Sequence, residues 1–314
     1  MCKCELLRKA VSDSITEDEK LMASTSLRDH VLHAQQERSL YNKCIEDARV
    51  SFNSDGQDKY FHFKFDYSQN ISVPHHSRQM GPLYFLSLRK IQIFGFREDG
   101  KPKQLNFLID EADSIGKDGS HTHGPDSVIS MLDWALNSYT TESFTMHAYN
   151  CGGQNKNQFM MGYLMWRILT GRQKKITYLM QVPGHTRCLI DAGFANIKKL
   201  YRRSDCESID QVEKLVNDSS STNIAVRYPS WQWKDWKGFL SRFFKRIPGV
   251  RRFHHFTFTS ERPGEVLVKE SHDSESHPVQ ILKKNDPEVI ASLITQQPEV
   301  VPIQHADALA CEMA

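Results

Sequence analysis

From Tyr60 to Asp66 the chain alternates aromatic and polar side chains, Tyr-Phe-His-Phe-Lys-Phe-Asp. That period of two predicts a strand whose faces differ sharply in chemistry. A longer apolar run, Leu83 to Phe96, predicts a second strand. Lys103 to Asp110 predicts a third, after the polar turn Glu98 to Pro102. At Pro125 the period becomes helical, with Val128, Met131, Leu132 and Ala135 on one side and proline in the first turn. Ser143 to Tyr149 is a fourth strand. Asn157 to Thr170 is a helix with Met160, Met161, Leu164, Met165 and Ile168 on its apolar side. Lys175 to Val182 is a fifth strand, stopped by Pro183-Gly184, and Thr186 to Tyr201 is a third helix.

The order is three strands with hairpin-scale links, then strands alternating with helices. The first part predicts an antiparallel meander and the second parallel pairing through helical crossovers. The expected fold class is α/β, with the order of a ribonuclease-H-like fold: a mixed five-stranded sheet with helices on both faces. This domain is expected over residues 59–205. Residues 1–58 are polar and helical in pattern, with Leu21, Leu27, Val31, Leu32, Leu40 and Ile45 scattered among charges. They predict a helical arm packed on the domain, since no heptad is sustained. Residues 206–284 predict an α+β extension of the same unit, and residues 285–314 a loosely held tail.

Composition narrows the field. The 314 residues are 39% hydrophobic and 25% charged, which is globular. The formal net charge of +2 excludes a uniformly basic DNA-binding tail but not a local basic face. No apolar run reaches the roughly 18 residues of a membrane span. With no secretory apolar core at the start, the seven cysteines are expected as reduced thiols in an intracellular protein.

The densest chemical signal is Asn150-Cys151-Gly152-Gly153-Gln154-Asn155-Lys156-Asn157, between a strand and a helix. Glycines permit a sharp turn, amides at a helix start favour anions, and Lys156 adds charge. The structural alternative is a glycine-rich turn with asparagine capping. This block resembles the Asp-Asn-Cys-Gly-Gly-Gln-Asn-Lys-Asn motif of a transposon-derived, ribonuclease-H-like family. The resemblance extends through Phe65-Asp-Tyr-Ser-Gln-Asn70, Pro74 to Tyr84, Phe107-Leu-Ile-Asp-Glu111, Gly184-His-Thr186, Asp191 to Ala195 and Lys198 to Arg203.

The resemblance implies phosphodiester cleavage or strand transfer by two Mg²⁺ or Mn²⁺ ions held by three carboxylates. Asp66 takes the first-strand position and Asp191 the last-helix position. The family's fourth-strand Asp falls on Tyr149, a poor ligand for a hard cation. Asp110, on an outer strand, is not placed to rescue it. The implied reading is a degenerate nuclease, with a non-catalytic nucleic-acid-binding or protein-interaction module as the alternative. The expected partner is nucleic acid, DNA before RNA, with nuclear residence following from that ligand, no membrane, and a second copy of the chain as an open option. Lys156, Arg187, Lys198, Lys199, Arg202 and Arg203 are the expected phosphate contacts, in a basic cluster that also counts Arg167, Arg172, Lys174 and Lys175. A second cluster, Lys234 to Arg252, interleaves basic residues with Trp231, Trp233 and Trp236, which read individually as core. His75-His76, His121 with His123, and His254-His255 lack cysteine partners at finger spacing and read as structural or surface. A thiol enzyme built on Cys151 with His185 as base is a minor third reading.

Overall fold

The computed structural model describes residues 3–55, 59–78, 81, 87–114, 124–284 and 286–303. Its centre is one mixed sheet flanked by helices. The first predicted strand is β1, Phe61–Tyr67. A short β2, Ile71–Val73, leads to β3, Arg89–Glu98, and β4, Lys103–Asp110. Residues 83–86 of the predicted second strand lie outside the described residues. Then come α3 (Pro125–Leu136), β5 (Ser143–Ala148), α4 (Gln158–Leu169), β6 (Lys175–Met180) and α5 (Leu189–Tyr201). Before them stand α1 (Lys3–Asp13) and α2 (Glu17–Asn53). After them stand α6 (Ile209–Asp218), β7 (Asn223–Arg227), α7 (Trp236–Phe243), β8 (His255–Thr259), β9 (Glu265–Lys269), β10 (His277–Gln280) and α8 (Pro287–Thr295).

The sheet has ten strands, not five. Its path is β10-β9-β8-β6-β5-β1-β3-β4-β7, with β2 on β3. β1, β3 and β4 are antiparallel, while β5 pairs parallel with β1 and β6 with β5. The extra strands cap both edges of the five expected ones. β7 joins β4 in parallel, and β8 to β10 continue antiparallel from β6. The extension therefore continues the sheet, which leaves neither β4 nor β6 as an open edge. The segment expected as a loose tail is docked as far as it is described. Leu293 of α8 is fully buried, and Val301 N donates to Trp233 O at 2.8 Å.

β1 explains the layering. Phe63 and Phe65 enter a core with α3, α4 and α7, where Trp166, Trp231, Trp233 and Trp236 are all buried. The tryptophans are core, so they offer no stacking platform. The opposite face of β1 presents His62, Lys64 and Asp66. A 37-residue helix, α2, crosses this polar face. It opens with a capping box: Glu19 N donates to Thr16 Oγ1, and the Glu19 carboxylate accepts from the Thr16 and Ile15 amides. Those bonds hold the Glu19 carboxyl below its usual range. Further along, Glu37 meets His255 Nε2 at 2.9 Å and accepts from His272 N at 3.0 Å. Tyr41, Cys44, Ile45 and Ala48 are buried side chains of the helix's own inner face.

α5 packs on the same face because Gly95 leaves room. A Cβ there would stand 2.6 Å from the Phe194 ring. Gly193 makes the reciprocal approach, where a Cβ would meet Gln104 Oε1 at 2.2 Å. The contact at Gly95 is too short to absorb without moving the Phe194 ring or its helix, whereas Gln104 meets Gly193 with the end of a flexible side chain. Gly95→Ala is therefore expected to lower stability by about 1–3 kcal/mol through overpacking. A denaturant midpoint equal to that of the natural chain would contradict this account of α5.

Candidate functional site

The polar face of β1 carries a buried chain of ionisable groups. Asp99 accepts from Arg97 Nε at 3.0 Å and pairs with His62 Nδ1 at 2.8 Å. His62 Nε2 is 2.7 Å from His147 Nδ1. Burial, then the neighbouring His62, pushes His147 well below the usual imidazole range. Lys64 pairs in register with His147 across the parallel β1–β5 ladder. Asp66 and Tyr149 come two residues further along each strand, on the same face.

Lys64 is the unexpected member, with 0% of its surface exposed. Its ammonium donates to Gln181 Oε1 and lies 5.0 Å from the centres of the Tyr41 and Tyr149 rings. Burial lowers its pKa, while Cys188, Asp191 and Asp66 act in the opposite sense. The pattern Phe-Lys-Phe contained this signal, because a strand buried on both faces forces its polar residues inside.

Asp191 sits in the first turn of α5, whose start is held by Leu189 N donating to Tyr41 Oη at 3.2 Å. Its carboxylate accepts from Cys188 N at 2.8 Å, Cys188 Sγ at 3.2 Å and Tyr149 Oη at 3.3 Å. Asp191 thus caps its own helix as well as facing the site. Burial raises Asp66 to about 7, and the Asp191 charge adds to the rise against the amide of Tyr67 and Lys64. Burial likewise pushes the Cys188 thiol up to about 11 and raises Tyr149 above the ordinary phenol range. Asp66, Tyr149 and Asp191 are therefore brought together as the sequence implied, with Lys64 and Cys188 added. Asp110 is not among them: it ion-pairs with Arg89 at 2.6 Å and caps the turn at Ala112.

The motif loop follows Tyr149. Asn155 is buried, donates to Tyr149 O at 3.1 Å, and its carbonyl accepts from Tyr178 Oη at 3.0 Å. Asn157 caps α4 by accepting from Phe159 N and Met160 N, so those amides are already engaged. Lys156 is not an exposed phosphate contact. It is 3% exposed, donates to Arg251 O at 2.9 Å, and burial lowers its pKa to about 8. Gly152 and Gly153 have no left-handed φ, and a Cβ on either would meet nothing within 4 Å. They lie in the expected turn, closed by Asn155 N and Lys156 N donating to Cys151 O at 2.8 and 2.9 Å, and their Cα atoms face open space. That space is a cleft of about 670 Å³, lined by Asn150, Gly152, Gly153 and Asn157 and by Arg246 and Arg251. Asn150 is anchored by His254 Nε2 at 3.2 Å, and Cys151 and half-buried Gln154 complete the loop.

The first basic cluster divides. Arg187, Lys199, Arg202 and Arg203 are exposed, and Lys198 is half-buried with its ammonium on Gln69 Oε1 at 3.1 Å. Arg167, Arg172, Lys174 and Lys175 lie elsewhere, by the starts of β5 and β6, at the sheet end opposite Tyr149. Arg167 is buried on Asp133, Gln173 and Asn137, Arg172 stacks on Trp166, and Lys174 pairs with Glu142. Arg167 is structural, whereas Lys174 and Lys175 are exposed, and all four lie away from Asp66 and Asp191 because proximity in sequence did not bring them to the same end of the sheet. The thiol reading loses its geometry as well, since His185 Nε2 contacts Cys4 Sγ at 3.0 Å while Cys151 is exposed. His75 stacks on Tyr201, and His121 and His123 lie outside the described residues.

Residues 117–276 match the family described as Domain of unknown function (DUF7869), about half of the chain, and the chain belongs to that family. No curated protein and no solved structure matches it. Among the described residues, no helix is long and apolar enough to cross a membrane.

The raised pKa of Asp66 sets a pH dependence. Between pH 3.8 and about 7 the folded chain keeps a proton that the unfolded chain has released. Stability therefore falls as pH rises through that window. Asp66→Asn should remove this slope and raise stability at pH 8 by on the order of 1–3 kcal/mol, read from urea midpoints across pH. An unchanged slope in the variant would count against a buried Asp66. Gly153→Ala, by contrast, should leave the midpoint within about 0.5 kcal/mol, because its Cβ enters open space.

Proposed function

We propose that this chain is a transposon-derived, ribonuclease-H-like domain that holds nucleic acid without cutting it. Two features support the ancestry. The strand order β4-β3-β1-β5-β6, with an antiparallel meander on one side and parallel strands on the other, is the order expected of that fold. Asp66 on the first strand, Tyr149 just past β5 and Asp191 on α5 converge where such folds gather their acids.

The observation that carries the loss of cleavage is the buried Lys64 ammonium beside these two acids. The residues present do not fit a pair of Mg²⁺ or Mn²⁺ ions. Two carboxylates supply at most two negative charges, and Asp66 retains a proton up to about pH 7. Asp191 already accepts from a backbone amide, a thiol and a phenol. Lys64 adds a buried basic side chain beside the acids, and its charged form, which burial disfavours, would repel an entering cation. Tyr149 contributes a neutral hydroxyl rather than a third carboxylate.

The remaining chemistry is anion binding. Arg246 and Arg251 flank the open glycines of the motif loop, and Lys199, Arg202 and Arg203 extend exposed charge along the end of α5. Backbone left bare by glycine beside arginines suits phosphate of a strand lying in the cleft. DNA follows from the ancestry.

Fluorescence anisotropy with labelled duplex DNA, single-stranded DNA and RNA tests the binding half. Binding should need no divalent cation and weaken steeply with salt. Arg246→Glu with Arg251→Glu should reduce affinity about tenfold or more and shrink the salt slope by about 0.9 per lost duplex phosphate contact. Plasmid nicking in Mn²⁺ tests the other half. The natural chain should leave plasmid intact, and gain of nicking in Lys64→Met with Tyr149→Asp would support the account of its loss. Nicking by the natural chain that Asp66→Ala abolishes would overturn it, as would absence of binding at low salt.

A further inference from the structure

We propose that Cys4, His30 and His185 form a zinc site that ties the N-terminal arm to the loop entering α5. The three ligating atoms, from α1, α2 and that loop, all lie within 4.8 Å of one another. Cys4 Sγ and His185 Nε2 are 3.0 Å apart across 181 residues of sequence, and the His30 and His185 rings meet edge to face. With zinc–sulfur near 2.3 Å and zinc–nitrogen near 2.05 Å, a tetrahedral centre separates sulfur from nitrogen by about 3.5 Å. The pair needs to open by only about half an ångström.

Two further observations point to a ligand. His30 is 92% buried, yet its Nε2 has no hydrogen-bond partner among the described residues. A buried imidazole nitrogen without a partner costs free energy unless something occupies it. Independently, Cys4 is the buried side chain of α1, a helix that packs along α2. Coordination at Cys4 would tie that helix pair to the loop entering α5 as well.

The donor set identifies the class of ion. Thiolate with imidazole suits zinc and other late first-row ions, whereas Mg²⁺ and Ca²⁺ take oxygen ligands. Three protein donors leave a fourth position for water or another donor. A second set of similar composition, Cys44, His62 and His147, does not qualify. There His62 Nε2 and His147 Nδ1 bond each other at 2.7 Å and His62 Nδ1 is taken by Asp99. A tetrahedral ion would force those nitrogens about 0.6 Å further apart and break a satisfied network. In the proposed site the ion would fix His185, three residues before Cys188 and six before Asp191, and so brace the loop bordering the acidic site. The zinc inference does not rest on the nucleic-acid reading.

Titration of the chelator-treated full chain with Co²⁺ tests it, because tetrahedral thiolate coordination gives intense visible bands and a sulfur-to-cobalt charge-transfer band. The bands should saturate stoichiometrically and be displaced by Zn²⁺. Cys4→Ser and His185→Ala should abolish the charge-transfer band. His30→Gln should weaken Co²⁺ binding about tenfold or more. Cys188→Ser, beside the acids, should retain the band. Circular dichroism checks that each variant is folded, and added Zn²⁺ should raise the melting temperature of the natural chain but not of Cys4→Ser. Absence of the band in the folded natural chain, or a band that survives Cys4→Ser and vanishes in Cys188→Ser, would overturn the assignment.

Discussion

A lysine ammonium with no exposed surface has to find its compensation inside the protein, and Lys64 organises this molecule around that need. Desolvating one cation costs several kcal/mol even after relaxation. Gln181 accepts from it, two aromatic faces lie 5.0 Å away, and Asp66 and Asp191 supply opposite charge. The constraint begins with β1, where strict alternation sends three phenylalanines to one side and His62, Lys64 and Asp66 to the other. Because α2 and α5 cover that second side, the polar residues could not be left to water. They form a connected layer instead, from Asp99 and Arg97 through the two histidines to the acids at the end of the sheet.

The same layer accounts for the chemistry of the site. Burial, reinforced by the Asp191 charge, raises the Asp66 carboxyl to about 7, above the range of an ordinary aspartate. In an acidic metal centre divalent cations would compensate that charge. Here a lysine, a proton and a phenol share the task, all within the chain. Under the proposed reading such a site needs no added cation, and nucleic acid is held in the cleft that Arg246 and Arg251 line together with Gly152 and Gly153. The proposed loss of cleavage and the proposed anion binding are compatible because the two regions sit on different supports. The acids belong to β1 and α5, whereas the cleft joins the motif loop to the segment after α7.

The N-terminal arm does more than shield the sheet. Its long helix bonds to the C-terminal strands through Glu37 and His255, and to the start of α5 through Tyr41. The N-terminal arm thus bridges the C-terminal strands, the loop carrying His185 and the start of the helix carrying Asp191.

Much of the fold was legible along the chain. β1, β4, β5, β6 and the helices α3 to α5 fall where periodicity puts them, since each has an apolar face to bury. β7 and α8 were missed because they are short and take their definition from partners, β4 for one and the aromatic core for the other. The convergence of Asp66, Tyr149 and Asp191 was also foreseeable, through the resemblance carried by the motif. The role of Lys64 was not drawn from the pattern, although Phe-Lys-Phe contained it, because whether a strand's polar face is wet or dry depends on what crosses it. Lys156 and Arg167 had the charge of phosphate ligands, yet tertiary packing buried them on backbone and side-chain acceptors. Cys4, His30 and His185 gave no spacing signal at all: their 181-residue span closes only when the arm folds back over the sheet. Local order followed from periodicity, which is a property of neighbours in sequence. Charge compensation and ligand geometry were decided by the tertiary structure, because burial and distance exist only between segments that folding brings together.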